Sequence, residues 1–108
     1  MCLIGYIYYM KYKLESTQQY DKWFSKLKDH VSKIRILARL NRVENGNFGD
    51  CKLIRQNLSE LRFFFGAGFR IYYTIINNTI VLLLQGGDKP SQEKDIKKAE
   101  ELLSKLEE

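Results

Sequence analysis

The second half of the chain is a run of apolar segments separated by turns too short for anything but hairpins. Residues 58–65, 69–76 and 79–85 are rich in aromatic and β-branched side chains, and only Gly66-Ala67-Gly68 and Asn77-Asn78 lie between them. Connections of two or three residues join antiparallel neighbours, because a parallel crossover needs a dozen residues or more. Gly and Asn accept the positive φ that such loops require. A shorter candidate strand, residues 51–54, precedes the series. At least three hairpin-linked strands are therefore expected here.

Side chains alternate across a strand, so a pairing register assigns faces. With a loop at residues 66–68, Phe65 faces Phe69, Phe63 faces Ile71 and Leu61 faces Tyr73. A two-residue Asn77-Asn78 turn sets Leu84, Leu82 and Ile80 opposite Ile71, Tyr73 and Ile75. That face is wholly apolar and is the expected core. The reverse face carries Arg62, Phe64, Arg70, Tyr72 and Gln85, with Lys89 beyond the last strand and Lys52 on the short one. Val81 and Leu83 on this side call for cover from a C-terminal helix. Guanidinium groups clamp phosphates and aromatic rings stack on unpaired bases, so this set suits RNA. A slip of one residue would exchange the faces.

The first half reads differently. Residues 8–14 suggest a strand. Ser16 or Thr17 can cap a helix whose stripe is Tyr20, Trp23, Phe24 and Leu27. Asp29 can cap a second helix with the stripe Val31, Ile34, Leu37 and Ala38. Arg35, Arg39 and Arg42 form a basic stripe on another side of it, readable as a solvated face or as an RNA or ribosome contact. The Gly- and Asn-rich residues 45–50 end that helix. After Gly86-Gly87, Ser91 can cap a last helix with Ile96, Ala99, Leu103 and Leu106 on one side. The order β-α-α-β-β-β-β-α segregates helices from hairpins. The expected fold is α+β, an N-terminal helical hairpin and a C-terminal helix packed on a small, mainly antiparallel sheet.

The 108 residues form a single expected domain, residues 1–108, with residues 1–9 as a possible N-terminal extension. Eighteen Lys and Arg against 13 Asp and Glu give a net charge of +5, which suits an anionic partner. The apolar residues 1–10 are too short to span a membrane, and no membrane partner is expected. Cys2 and Cys51 lack metal-ligand spacing, and the single His30 cannot complete a zinc site with them. Both are expected as free thiols in a reducing cytoplasm. There is no P-loop, GxSxG or HExxH, and no metal or other cofactor is expected.

Trp23-Phe24-x-x-Leu27, Arg35-Ile36-Leu37-Ala38-Arg39-Leu40 and Gly46-Asn47-Phe48-Gly49-Asp50 resemble the HigB-like branch of the RelE/ParE toxin superfamily. So do Glu60-Leu61-Arg62, the segment Gly66-Ala67-Gly68-Phe69-Arg70-Ile71-Tyr72-Tyr73, and Leu82-Leu83-Leu84-Gln85-Gly86-Gly87-Asp88-Lys89. Ser91-Gln92-x-x-Asp95-Ile96-x-x-Ala99 completes the series, which covers about residues 10–106. The resemblance implies the toxin of a type II toxin–antitoxin module, bound by a cognate antitoxin, often a helix-turn-helix HigA-like protein. It further implies ribosome-dependent, metal-independent cleavage of mRNA and inhibition of translation. Arg70 matches the sheet arginine of these toxins and Lys89 a basic position after the last strand, with Arg62 and Lys52 matching less closely. Tyr72 joins the catalytic set from the face assignment. RelE's tyrosine falls where this chain has Gln92 and Asp95. Arg35, Arg39, Arg42, Phe64 and Gln92 are the expected RNA- or ribosome-binding residues. The alternatives are a ParE-type gyrase poison acting by protein binding and a catalytically dead RNA-binding module.

Overall fold

The structure is a computed structural model and describes residues 11–107. Its elements are β1 (Lys13–Ser16), α1 (Gln18–Lys26), α2 (His30–Glu44), β2 (Cys51–Arg55), β3 (Leu58–Arg62), β4 (Arg70–Ile76), β5 (Ile80–Gly87) and α3 (Gln92–Leu106). The expected order is observed. The five strands form one sheet in the order β1-β5-β4-β3-β2, with β1 parallel to β5 and the other pairs antiparallel. β1 begins later than the expected residues 8–14, of which 8–10 lie outside the described residues.

Local chemistry sets the helix starts. Thr17 is the cap of α1: its hydroxyl accepts from the Tyr20 N–H at 3.1 Å and donates to the Leu84 carbonyl at 2.7 Å. Asp29 caps α2 by accepting from the Val31 N–H. Ser91 makes no side-chain cap bond to α3, because its hydroxyl is taken by Asp88 and Asp95.

Both faces of the sheet are covered. One core, beneath α1 and α2, joins Tyr20, Ile36, Leu40 and Val43 to Leu61, Phe63, Ile71, Tyr73, Val81 and Leu83. The other, beneath α3, joins Leu58, Tyr72, Leu82 and Leu84 to Ala99 and Leu103.

The β3–β4 register differs from the expected one by two residues. Leu61 faces Ile71 and Arg62 faces Arg70. A shift of two keeps every side chain on its expected face. Gly66 and Gly68, at φ 57° and 72°, wind the intervening segment into a wider turn than a three-residue loop. The β4–β5 register differs by one, and the consequence is larger. Asn77 and Asn78 both take positive φ, but Thr79 stays in the loop with its N–H on the Ile76 carbonyl, so Ile76 faces Ile80. Val81 and Leu83 therefore lie under the N-terminal helices and Leu82 and Leu84 under α3, the reverse of the sequence expectation. An irregularity at Tyr72/Tyr73 then restores the alternation: Gln85 faces Tyr72 and Gly86 faces Ile71. Gly86 lies directly under the Trp23 ring, with no room for a Cβ.

α2 is rotated from the expected orientation. Val31, Ile34 and Leu37 are 60%, 66% and 54% exposed, and the buried stripe is Ser32, Ile36, Arg39, Leu40 and Val43. Arg39 thus turns away from the outward-facing Arg35 and Arg42 and into the protein. Its guanidinium donates to the carbonyls of Phe48 (2.8 Å), Arg62 (3.0 Å) and Asp50 (2.6 Å) and lies 4.8 Å from the centre of the Phe63 ring. Gly49, at φ 70°, leaves space for it. Cys51 is disulfide-bonded and not the free thiol expected; Cys2 lies outside the described residues.

Two substitutions test this packing. Phe63→Ala should cost about 3–5 kcal/mol through lost burial and a cavity. Arg39→Ala should cost about 3 kcal/mol, because three inward-facing carbonyls lose a charged donor, and Arg39→Lys should recover little, lacking the planar fork. Denaturant titration checks both. A loss below about 1 kcal/mol for either would contradict the packing described.

Candidate functional site

Antiparallel pairing sets residues in rows across the strands. One row runs Lys52, Glu60, Tyr72, Gln85 and the next Arg62, Arg70, Gly87. The strand side chains of the second row are cationic, and like charges on facing residues repel. Each has its own carboxylate. Arg62 makes a two-pronged pair with Asp50, at 3.0 and 3.1 Å, which raises the arginine pKa further. Arg70 has its Nε 4.0 Å from the carboxylate of Glu60, and both side chains are buried.

Arg70 is further held by its Nη1, which donates to the carbonyls of Gly68 and Phe69 at 3.0 and 3.2 Å. The positive φ of Gly68 presents that carbonyl. The loop after β5 docks on the same segment, with the Lys89 N–H on the Ala67 carbonyl. A cleft of about 760 Å³ opens there, lined by Phe63, Phe64, Gly66, Ala67, Gly68, Arg70, Lys89 and Pro90. Phe64 is 77% exposed at its rim, with the Arg62 guanidinium 5.9 Å from its ring centre. Lys89 is exposed and forms no ion pair among the described residues. The cleft thus joins a rigidly held guanidinium, a free ammonium and an exposed ring, a set able to grip a phosphate next to an unpaired base.

The other expected residues are distributed differently. Tyr72 is fully buried under α3, and its hydroxyl makes no hydrogen bond of ordinary geometry. Burial first, and then the charges of Glu60 and Asp95, push its pKa well above the usual phenol value. It neither reaches the cleft nor offers a base, a correction to its place in the expected catalytic set. Gln85 donates to the Gly86 carbonyl and to Asp95. Gln92 donates to Glu60 at 3.1 Å, behind Arg70, and does not line the cleft. Lys52 is exposed in the same row as Glu60. Arg35 and Arg42 are exposed on α2, Arg35 lying over the Phe65 ring, and Arg39 is a structural residue of the core.

Glu60 and Asp50 are the carboxylates beside the two arginines that the sequence did not single out. The alternation Glu60-x-Arg62 was a usable signal, but the expected register set Glu60 opposite Thr74, two residues away from its observed partner Tyr72. Among the described residues no cluster of His, Cys, Asp and Glu could hold a metal ion, and no helix is long and apolar enough to cross a membrane.

Three buried tyrosines give the fold a pH signature. Burial is the main cause of the raised pKa of Tyr20, Tyr72 and Tyr73. The folded state keeps their protons where unfolded tyrosines, near pKa 10, lose theirs. Stability from these groups is therefore full below about pH 10 and falls above it, at up to about 4 kcal/mol per pH unit for three protons. Tyr72→Phe should remove about one third of that slope and leave stability at pH 7 within about 1 kcal/mol. Denaturant titrations between pH 8 and 12 check it; an unchanged slope would mean that Tyr72 titrates normally.

No family model matches the chain. A Haemophilus influenzae protein described as an uncharacterized protein is 43% identical over 97 residues, covering 90% of this chain and 98% of that one. A chain from the crystal structure of the intact E. coli RelBE toxin–antitoxin complex superposes with a TM-score of 0.60 at 20% identity, over 72% of this chain and 96% of that chain.

Proposed function

The chain belongs to the family of that Haemophilus influenzae protein and has a RelE-like fold, and on that basis we propose that it is the toxin of a toxin–antitoxin module that cleaves mRNA on the ribosome. The observation that carries this reading is the cleft in which Arg70 and Lys89, from two different strand ends, meet beside the exposed Phe64. Fold alone does not select among the activities a scaffold can host. The reading rests on this juxtaposition of charge, ring and cavity.

In the proposed reaction the ribose 2′ oxygen attacks the adjacent phosphorus, and the bond from phosphorus to the 5′ oxygen breaks. The 2′ hydroxyl gives up its proton to water and the departing 5′ oxygen gains one, leaving a cyclic phosphate and a 5′ hydroxyl. Arg70 holds the non-bridging oxygens as charge builds there. Lys89 neutralises or protonates the departing oxygen. Phe64 stacks on a neighbouring base, and Arg62 on β3 and Lys52 on β2 add positive potential. Tyr72 has no part, given its burial. Gln92 acts behind Arg70, through Glu60. Arg35 and Arg42 contact the ribosome from α2. Positioning of the message by the ribosome supplies much of the rate, as oriented reactants do generally. The neutralising partner is a cognate antitoxin of the helix-turn-helix, HigA-like kind. Neither metal nor other cofactor takes part.

Primer extension on a translated message should show new 5′ ends inside codons when the protein and ribosomes are both present. Induced expression without antitoxin should arrest growth. Arg70→Ala and Lys89→Ala should each slow cleavage about a hundredfold or more, about 3 kcal/mol of transition-state stabilisation. Arg70→Lys should recover little. Lys89 is exposed, so its variant should keep the melting temperature of the parent. Intact message together with inhibition of purified gyrase would replace this reading with a gyrase poison.

A further inference from the structure

The outward face of α2 is apolar where a solvated helix would be polar. Val31, Ile34 and Leu37, with the exposed Ala38 beside them, follow helical spacing and form a row along the side turned away from the core. They account for three of the six large hydrophobic side chains exposed among the described residues. Single exposed aliphatic residues are ordinary, but a contiguous row along one helix marks a contact surface. The inner face of α2 already has its own stripe in Ile36, Leu40 and Val43, so the outer row is surplus to folding.

The border of the row says what fits it. Arg35 and Arg42 lie along one edge and Lys33 along the other. The helix holds no carboxylate until its last residue, Glu44. A basic helix with an apolar centre complements a helix that is apolar along one side and acidic along its flanks. A second copy of this chain is a poor match. A two-fold contact through α2 sets the same surface against itself, and so brings cationic borders together.

We propose that the outer face of α2 is a docking surface for an acidic amphipathic helix of a partner protein, with Val31, Ile34 and Leu37 as anchors and Arg35 and Arg42 as the charge readers. The proposal stands whether or not the toxin reading does, and the two share only Arg35 and Arg42, which a docked helix would withdraw from the ribosome. The cleft at Arg70 and Lys89 is built from the β3–β4 turn and the loop after β5, and α2 supplies none of its lining.

The test uses the full chain and two synthetic helical peptides of about 20 residues, long enough to hold a helix. Both carry Leu at i, i+3, i+4 and i+7 spacing. One has Glu on its flanks and the other Lys. Fluorescence anisotropy at low salt should show the Glu peptide binding at least about tenfold more tightly than the Lys peptide. The double variant Ile34→Asp/Leu37→Asp should lose at least tenfold for the Glu peptide, with an unchanged melting temperature because both side chains are exposed. Arg35→Glu/Arg42→Glu should reverse the preference between the peptides, and it stands as an independent check should the first variant misfold. Equal binding of the two peptides, no binding of the Glu peptide, or indifference to both double variants overturns the proposal. Sedimentation showing a dimer that Ile34→Asp/Leu37→Asp dissociates would make a second copy the occupant. Binding that emerges only after deletion of residues 1–9 would make the chain's own start the occupant. Either result also overturns it.

Discussion

The guanidinium of Arg39 ties the helical layer to the sheet edge, and much of the remaining geometry follows from it. A buried arginine persists only when its donors are satisfied, and here three backbone carbonyls and an aromatic ring satisfy them. Two of those carbonyls belong to Phe48 and Asp50, in the irregular segment before β2, and the third to Arg62 at the end of β3. Fixing Asp50 in turn fixes the side chain of Arg62, which pairs with it. The same inward turn of Arg39 sets the rotation of α2. It sends Ile36, Leu40 and Val43 into the core and leaves Val31, Ile34 and Leu37 outside.

At the other side of the sheet, β5 plays the corresponding part. Its irregular pairing opposite Tyr72/Tyr73 brings Gly86 under Trp23 and Gly87 under Asp95, two approaches that admit no side chain on the strand. The Leu84 carbonyl accepts from Thr17, the residue that starts α1. Helix α1, β5 and the start of α3 are thereby locked together, and the strand end that follows carries Lys89 onto the β3–β4 turn. The cleft is a meeting of two loops whose anchors lie well away from it.

Charge within the site is arranged by burial. Arg70 is nearly inaccessible except toward the cleft, and its Nε faces a buried carboxylate that also accepts from Gln92. Removing one member of such a pair leaves an uncompensated charge, so the pair fixes the direction of Arg70 as much as it stabilises the sheet. Arg62, paired at a half-exposed position, is held less tightly.

The hairpin series, the three helices, their order and the mixed α+β layout were legible from turn residues and from apolar periodicity. Such signals are local, and local chemistry decides them: Asn77-Asn78 must turn, and Asp29 can start a helix. Resemblance and strand alternation set Arg70 and Lys89 together, and both line one cleft; the β3–β4 register difference of two keeps Arg70 on its expected face. The one-residue difference at Thr79 could not be read, because a two-residue and a three-residue loop suit the same Asn pair, and it exchanged the faces of β5 as far as Leu84. Which of two apolar stripes on α2 faces inward was equally open: both have helical spacing, and only the carbonyls gathered from residues 48, 50 and 62 make Arg39 a core residue. Tyr72 was assigned to an open face because sequence shows which side of a strand a residue takes but not what covers that side. The tertiary structure decided it, by laying α3 over the ring.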